Sequence, residues 1–160
     1  MIVVLFGVAG SGKSTIGMRL ASAMNCAFLE ADTLHSPANI AKMSGGTPLT
    51  DADRTPWLAA IHARIVDFAR RGNDLVVACS ALKREYRQSL EQGVSIIWVY
   101  LKAPENVIRL RLERRPSHFM KAEMLASQFA ALEEPTDAIV VDASLPPDAI
   151  VAEILVRARQ

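Results

Sequence analysis

Residues 7–15 have the sequence Gly7-Val8-Ala9-Gly10-Ser11-Gly12-Lys13-Ser14-Thr15. Its first eight residues fit the pattern G-x-x-x-x-G-K-[ST], which binds phosphate when it joins a strand to a helix. Both flanking elements are predicted. Residues 2–6 form a short apolar run rich in β-branched side chains, which is typical of a buried strand. Residues 13–24 have the apolar spacing of a helix.

The residue types of this loop suit a nucleoside triphosphate. Glycines let the backbone wrap closely around phosphate oxygens and turn its N–H groups inward, and the helix N-terminus adds partial positive charge. We expect Lys13 at the β- and γ-phosphates and the Ser14 hydroxyl on Mg²⁺. The predicted nucleotide-binding residues are Gly7, Ala9, Gly10, Ser11, Gly12, Lys13, Ser14 and Thr15.

Strands alternate with helices along the rest of the chain. Apolar runs predict strands at 2–6, 27–29, 75–79, 95–101 and 138–142. Helical spacing and end signals predict helices at 13–24, 37–43, 53–70, 83–91, 104–114, 121–132 and 147–158. This alternation is typical of an α/β fold with a five-stranded parallel sheet and helices on both faces. A length of 160 residues fits a single domain, residues 1–160.

The composition argues against several classes of protein. Apolar residues make up 51% and charged residues 22%, which is ordinary globular usage and not that of a disordered chain. A formal net charge of +1 argues against a broad nucleic-acid-binding surface. The two cysteines, Cys26 and Cys79, cannot form a disulfide framework and suit a reducing compartment. Without an apolar run of about 18 residues or a basic leader, we expect no membrane partner and a cytoplasmic location.

If Mg²⁺ is used, the carboxylate that supports it has to come from outside the third predicted strand. That strand ends in Ala78-Cys79-Ser80 and lacks the carboxylate that often supports Mg²⁺ there. Asp32 follows the second strand, and ligands gather at the carboxyl ends of parallel strands. Asp32 could therefore orient or deprotonate an acceptor hydroxyl and hold Mg²⁺ through water. A helix cap or a loop carboxylate is the alternative, and position alone leaves both open.

An arginine-rich segment follows the fourth strand. Arg111 and Arg115 are four residues apart and therefore share one face of a helix. A small kinase needs cations that close over the triphosphate, so we expect these two at the nucleotide, in a lid of about residues 111–125. For Arg109 and Arg114 a solvent-exposed helix end is the favoured interpretation.

A longer block carries a family resemblance. Residues 30–58 contain Asp32-Thr33-Leu34-His35, Asn39-Ile40-Ala41-Lys42-Met43, Gly46-Thr47-Pro48-Leu49, Asp51-Ala52-Asp53-Arg54 and Pro56-Trp57-Leu58. This acceptor-binding segment resembles the patterns D-x-L-H, N-I-x-K-M, G-x-P-L, D-x-D-R and P-W-L of the gluconokinase family, the ATP-dependent kinases of D-gluconate. Further matches extend the resemblance over nearly the whole chain, at residues 78–83, 86–87, 118–119, 121, 128–129 and 133–135. One departure is Glu30-Ala31, where the family favours Asp-Gly.

The resemblance implies an adenylate-kinase-like P-loop fold, with ATP and Mg²⁺ used to phosphorylate the C6 hydroxyl of D-gluconate. It implies that Asp32 is the acceptor-site carboxylate and the base. The other residues it places in catalysis are Lys13 and the lid cations Arg111 and Arg115. It places polar contacts to the sugar acid at Asp32, His35, Arg54, Lys83, Tyr86 and Arg87. By the same resemblance we expect a homodimer.

Other functions and local structures remain open at this level. A shikimate-kinase-like enzyme, or another small-acid kinase of this fold, would share the loop and the acid after the second strand. A nucleotide-binding regulator without catalysis would lack Lys13 or Asp32, and both are present. Within the block, Asp51 or Asp53 could instead cap the helix predicted from residue 53.

Overall fold

The computed structural model describes residues 1–115 and 122–160. Its strands are β1 (Ile2–Phe6), β2 (Ala27–Glu30), β3 (Leu75–Ala78), β4 (Ile97–Lys102) and β5 (Ile139–Asp142). Its helices are α1 (Lys13–Met24), α2 (Pro37–Ser44), α3 (Asp51–Arg70), α4 (Arg84–Leu90), α5 (Glu105–Glu113), α6 (Ala122–Ala131) and α7 (Pro147–Arg157), with a 3₁₀ turn at Ala31–Leu34. The predicted strands and helices are confirmed with small differences at their ends. The 3₁₀ turn was not predicted.

The five strands are all parallel and lie in the order β2-β3-β1-β4-β5. Central β1 pairs through Val4 with Val77 of β3 on one side and with Trp98 of β4 on the other. The chain forms β2 and β3 on one side of β1 before it crosses to β4 on the other. Sheets of this kind bind ligands at the carboxyl ends of their strands, where the strand order reverses. The glycine-rich loop starts at that place.

Two apolar cores account for the continuous apolar run of β1. Ile2, Val4 and Phe6 belong to the core built with α3 and α4, whereas Val3 and Leu5 belong to the core built with α1 and α7. Every residue of β1 is buried because helices cover both faces of the sheet. Within residues 1–115 and 122–160, no helix is both long enough and apolar enough to cross a membrane.

Helix α3 begins earlier than the sequence predicted, because its N-cap is Thr50 and not Asp51 or Asp53. The Thr50 hydroxyl accepts a hydrogen bond from the Asp53 N–H at 3.1 Å, and the Asp53 carboxylate accepts one from the Thr50 N–H at 2.9 Å. This capping box satisfies two N–H groups at the helix start. It frees the Asp51 carboxylate, which accepts hydrogen bonds from Lys83 and Tyr86 instead.

Candidate active site

The loop between β1 and α1 is so tight that both of its ends require glycine. A Cβ atom at Gly7 would lie 2.9 Å from the carbonyl oxygen of Leu101 and 2.9 Å from the Ser11 Oγ. Gly12 precedes α1 with a φ of 97°, which L side chains rarely adopt. Because α1 begins at Lys13, the free N–H groups of its first turn face the loop and favour an anion there.

Two side chains of the loop are poised for an anionic ligand. The Ser11 Oγ is buried and has no hydrogen-bond partner among the residues that the structure describes. The Lys13 ammonium donates to the carbonyl oxygens of Gly7 at 3.0 Å and Val8 at 2.9 Å. Burial lowers the pKa of Lys13, and the nearby Asp32 carboxylate acts in the opposite direction. The phosphates of ATP fit both groups, because they would accept a hydrogen bond from the Ser11 hydroxyl and pair with the buried charge of Lys13.

The oxygen donors expected for Mg²⁺ lie in the first turn of α1, at the end of β2 and in the 3₁₀ turn that follows it. The Ser14 hydroxyl donates a hydrogen bond to the Glu30 carboxylate. Burial raises the pKa of Glu30, and repulsion from Asp32 contributes in the same direction. A hydroxyl and two carboxylates are hard oxygen ligands, which Mg²⁺ prefers, and a cation there would relieve the repulsion. Sequence reasoning assigned Ser14 and Asp32 to Mg²⁺ but left Glu30 without a role, although its place at the end of β2 pointed to one.

One cleft lies between the loop, α5 and α7, and we call it the nucleotide cleft. Its lining includes Gly10, Ser11, Gly12, Thr15, Arg111, Arg115, Ala143, Leu145, Pro147 and Ile150. The Arg111 guanidinium donates to the carbonyl oxygen of Ala143 at 2.6 Å and reaches that of Gly10 at 3.5 Å. Two cations next to the loop suit phosphates, and the apolar side chains suit a purine base. The structure places Arg111 and Arg115 beside the loop, while residues 116–121 of the predicted lid lie outside the described residues.

A second cleft, the acceptor cleft, joins the loop to the segment after β2. Its lining includes Ala9, Gly10, Gly12, Lys13, Ser14, Glu30, Asp32, His35, Met43, Leu49, Arg54, Ser80, Arg115 and Gln128. The structure therefore brings the predicted acceptor residues Asp32, His35 and Arg54 together with Lys13. The Asp32 side chain is half-exposed, whereas His35 is buried. The two clefts meet, because both are lined by Arg115 and by glycines of the loop.

Arg54 is held in the acceptor cleft by a bracing cluster. Its guanidinium donates to the carbonyl oxygen of Leu49 at 2.6 Å and lies 5.6 Å from the ring centroid of Tyr86. The Asp51 carboxylate fixes the Tyr86 hydroxyl and also pairs with Lys83 at 2.9 Å. Tyr86 thus lies against Arg54, and Lys83 lies against Asp51 and the Tyr86 ring. Both were predicted as substrate contacts, and neither is among the lining residues of the acceptor cleft.

Arg87 is a correction to the sequence prediction, because the structure does not bring it to the acceptor cleft. Its side chain is buried. Its guanidinium donates to the carbonyl oxygens of Ala81 at 2.8 Å, Leu82 at 3.0 Å and Glu133 at 2.9 Å. These bonds tie α4 to the segment that follows α6. Arg87 therefore has a structural role, because it joins the backbone before α4 to the backbone after α6.

Gln128 is a further residue to which sequence reasoning assigned no role. It lies on α6, and its Oε1 accepts a hydrogen bond from the Ala9 N–H at 2.7 Å. Ala9 belongs to the loop whose N–H groups are expected to face phosphate. Gln128 therefore links α6 directly to the phosphate loop, and it also lines the acceptor cleft.

Comparisons with known proteins agree with this geometry. Residues 2–135 match the family model described as an AAA domain. The chain is 42% identical to the thermoresistant gluconokinase of Escherichia coli (strain K12) over 159 residues, covering 96% of this chain and 91% of that one. It is 43% identical to the gluconokinase of Gluconobacter oxydans (strain 621H) over 157 residues, covering 96% and 88%. The crystal structure of a gluconokinase from Sinorhizobium meliloti 1021 has a TM-score of 0.88 to it at 43% identity, covering 98% and 91%. The predicted P-loop kinase fold is confirmed, and the chain belongs to the gluconokinase family.

Proposed function

We propose that this chain transfers the γ-phosphoryl group of ATP to the C6 hydroxyl of D-gluconate, giving 6-phospho-D-gluconate and ADP. The observation that carries the proposal is that one cleft holds Lys13, Asp32 and Arg54 beside the phosphate loop. A sugar acid needs a cation for its own carboxylate and a carboxylate near the hydroxyl that attacks phosphorus. Two relatives that match nearly the whole chain are gluconokinases, which favours this acceptor over shikimate.

The nucleotide side supplies charge and position for the transfer. The N–H groups of the loop and the first turn of α1 would hold the β- and γ-phosphates. Lys13 would exchange the carbonyl oxygens of Gly7 and Val8 for phosphate oxygens. Arg111 and Arg115 would neutralise the negative charge on the transferred group from the other wall of the cleft.

The acceptor side supplies orientation and a place for the proton. Arg54, already fixed by the carbonyl of Leu49, would bind the carboxylate of gluconate. The half-exposed carboxylate of Asp32 would accept a hydrogen bond from the C6 hydroxyl and then its proton. Phosphoryl-transfer transition states are loose and require little proton removal at the start. Orientation of the hydroxyl is therefore the larger part of the role that we assign to Asp32.

We also propose that Mg²⁺ is held by Ser14 and Glu30 and, through water, by Asp32. The bound ion would neutralise charge on the β- and γ-phosphate oxygens. The chain brings its donors together beforehand, since Ser14 already bonds Glu30. Glu30→Gln should raise the Mg²⁺ concentration needed for half-maximal turnover, whereas Glu85→Gln, at an exposed position on α4, should not. An unchanged Mg²⁺ requirement in Glu30→Gln would remove that residue from the site.

Three expectations rest on the family resemblance and the composition. We propose that the protein is a homodimer, that it acts in the cytoplasm, and that neither nucleic acid nor a membrane is its partner. Sedimentation equilibrium would test the first of these. A single species of 17.4 kDa at micromolar concentration would reject the dimer.

The direct test of the reaction is ADP release in a coupled assay, with D-gluconate and shikimate compared side by side. We expect Mg²⁺-dependent release with D-gluconate, and NMR of the product should place the phosphate on C6. Release with shikimate but none above background with D-gluconate would replace the proposal by the shikimate-kinase-like alternative. Release without any acceptor would point to a nucleotide hydrolase.

A further inference from the structure

Asn39 on α2 is a buried polar residue with contacts on two sides. Its side-chain Nδ2 lies 2.9 Å from the carbonyl oxygen of Asp53 at the start of α3. The same atom lies 3.3 Å from the Nδ1 of His35. Only 6% of Asn39 is exposed, so these contacts are made away from solvent. Asn39 thus connects α3 to a residue of the acceptor cleft.

These two contacts determine the orientation of the Asn39 amide and the position of the ring proton on His35. A carbonyl oxygen can only accept a hydrogen bond, so the NH₂ end of the Asn39 amide has to face Asp53. The second hydrogen of that NH₂ group is then directed to the His35 Nδ1, which has to accept it. A neutral imidazole that accepts at Nδ1 carries its proton at Nε2.

The His35 ring is also held in a fixed plane. It stacks on Trp57 with ring centroids 4.2 Å apart and an angle of 11° between the planes. The Trp57 Nε1 donates to the carbonyl oxygen of Ala31 at 2.8 Å, which ties the stack to the 3₁₀ turn that carries Asp32. As a result, the His35 Nε2 lies 4.0 Å from an Asp32 carboxylate oxygen.

The His35 Nε2 as donor and the Asp32 carboxylate as acceptor, 4.0 Å apart, could both bind a single hydroxyl group. A hydroxyl oxygen can accept from the His35 Nε2–H while its hydrogen is donated to Asp32. With the proton on Nδ1, the Nε2 lone pair would face the Asp32 carboxylate, and the hydroxyl would meet two acceptors and no donor. The position of one proton on His35 therefore determines whether the pair is complementary to the acceptor.

We propose that Asn39 is a positioning residue that fixes the Nε2–H tautomer of His35, so that His35 donates and Asp32 accepts at one hydroxyl of the acceptor. The identity of that hydroxyl rests on the proposed function. The tautomer itself does not, because it follows from contacts within the unliganded chain.

His62 provides an internal reference for the test. Its Nδ1 lies 2.9 Å from the carbonyl oxygen of Leu90 and has to donate to it, so neutral His62 carries its proton at Nδ1. Long-range ¹H–¹⁵N correlation spectra of histidine-labelled protein distinguish the two tautomers. In spectra recorded at about pH 8, where free imidazole is neutral, His35 and His62 should give opposite patterns. The variants His35→Gln and His118→Gln assign the signals of the three histidines.

Asn39→Asp changes the tautomer without changing the size of the side chain. A carboxylate can only accept, so His35 should move its proton to Nδ1. Ser36→Ala is the matched control, because it removes the N-cap bond of α2 and leaves the Asn39 side chain in place. It should keep the Nε2–H pattern.

Kinetics then separate positioning from structure. Asn39→Asp should lower kcat/KM for D-gluconate by about ten- to a hundredfold, by analogy with groups that orient metal-bound histidines, with the KM for ATP unchanged. Ser36→Ala should retain the wild-type value. An Nδ1–H pattern for His35 in the wild type would overturn the proposal, as would an unchanged tautomer in Asn39→Asp. If the wild type shows Nε2–H but does not phosphorylate gluconate, only the proposed function fails.

Discussion

The nucleotide side and the acceptor side of this site are built in different ways. The loop of residues 7–12 presents backbone N–H groups, and its shape depends on close approaches such as that of Gly7 to the Leu101 carbonyl. The acceptor cleft presents the side chains of Asp32, His35 and Arg54. Nucleotide binding therefore depends largely on the course of the chain, to which Arg111 and Arg115 add charge, whereas acceptor binding depends on side chains alone.

The side chains of the acceptor cleft are each held by several neighbours, and on the nucleotide side Arg111 is likewise held by the carbonyl of Ala143. Arg54 is braced by Leu49 and Tyr86, and His35 by Asn39 and Trp57. A side chain that selects a ligand has to be held in one rotamer, or part of its binding free energy is lost to ordering. We therefore expect substitutions on the acceptor side to change specificity, including some that do not touch the ligand.

The largest loss should come from Lys13→Ala, because Lys13 lines the acceptor cleft next to the loop that both clefts share. Removing a charge that stabilises the transferred group should lower turnover by at least about 10²–10³. The melting temperature should change little, since within residues 1–115 and 122–160 the ammonium bonds only loop carbonyls. Lys102→Ala is the control: this exposed lysine pairs with Glu134, and turnover should be normal. Normal turnover in folded Lys13→Ala would contradict the assignment.

Asp32→Asn should act mainly on the acceptor side, because Lys13 and the N–H groups of the loop hold the nucleotide. The amide keeps the shape of the carboxylate but removes its charge, so kcat should fall by about 10²–10⁴. Affinity for a non-hydrolysable ATP analogue should stay the same, as measured by calorimetry. A carboxylate that merely caps a helix would behave differently, because Asn caps about as well as Asp. Turnover within a few-fold of wild type would favour that alternative.

Arg87→Met sharpens the contrast between an arginine that binds ligand and one that binds backbone. Each buried carbonyl left without its donor should cost about 1–3 kcal/mol. At this chain length, the melting temperature should fall by about 2–4 °C for every kcal/mol lost from the free energy of unfolding. The KM for D-gluconate should not change in the protein that remains folded. A raised KM with unaltered melting would return Arg87 to the acceptor cleft.

The smallest effect concerns acid stability on the acceptor side. Bonds from Lys42 and from the Thr50 N–H lower the pKa of Asp53 from 3.8 to about 2. A carboxyl whose pKa is lower in the folded state stabilises the fold above its unfolded pKa. This contribution should be lost as the pH falls from 3.8 towards 2. In thermal melts across that interval, the melting temperature of Asp53→Asn should depend less on pH than that of the wild type. An equal dependence would show that Asp53 does not contribute to acid stability.

Local patterns predicted the elements of the fold and the ends of the strands where ligands bind. The glycine-rich loop, the apolar runs and the position of Asp32 are each readable over a few neighbouring residues. Arg54 and Arg87 show the limit of such patterns, since both match the family resemblance. The direction of each guanidinium depends on partners that only the fold brings near, such as Glu133 for Arg87.

The residues that sequence reasoning missed share the same cause. Glu30 ends β2, where ligands gather, but its bond with the Ser14 hydroxyl of α1 is visible only in the fold. Asn39 gains its role from the carbonyl of Asp53, and a backbone group carries no sequence signature. Gln128 likewise bonds the N–H of Ala9. Contacts between a side chain and distant backbone have to be seen in three dimensions.

Calorimetric binding to two variants tests the division of the site into two clefts. Arg54→Gln should lose most of its affinity for D-gluconate and keep its affinity for a non-hydrolysable ATP analogue, because Arg54 lines only the acceptor cleft. Arg111→Gln should show the reverse, because Arg111 lines only the nucleotide cleft. Charged hydrogen bonds of about 1.5–3 kcal/mol predict a loss of about ten- to a hundredfold in each case. If each variant, still folded, lost affinity for both ligands equally, the separation into a nucleotide side and an acceptor side would be contradicted.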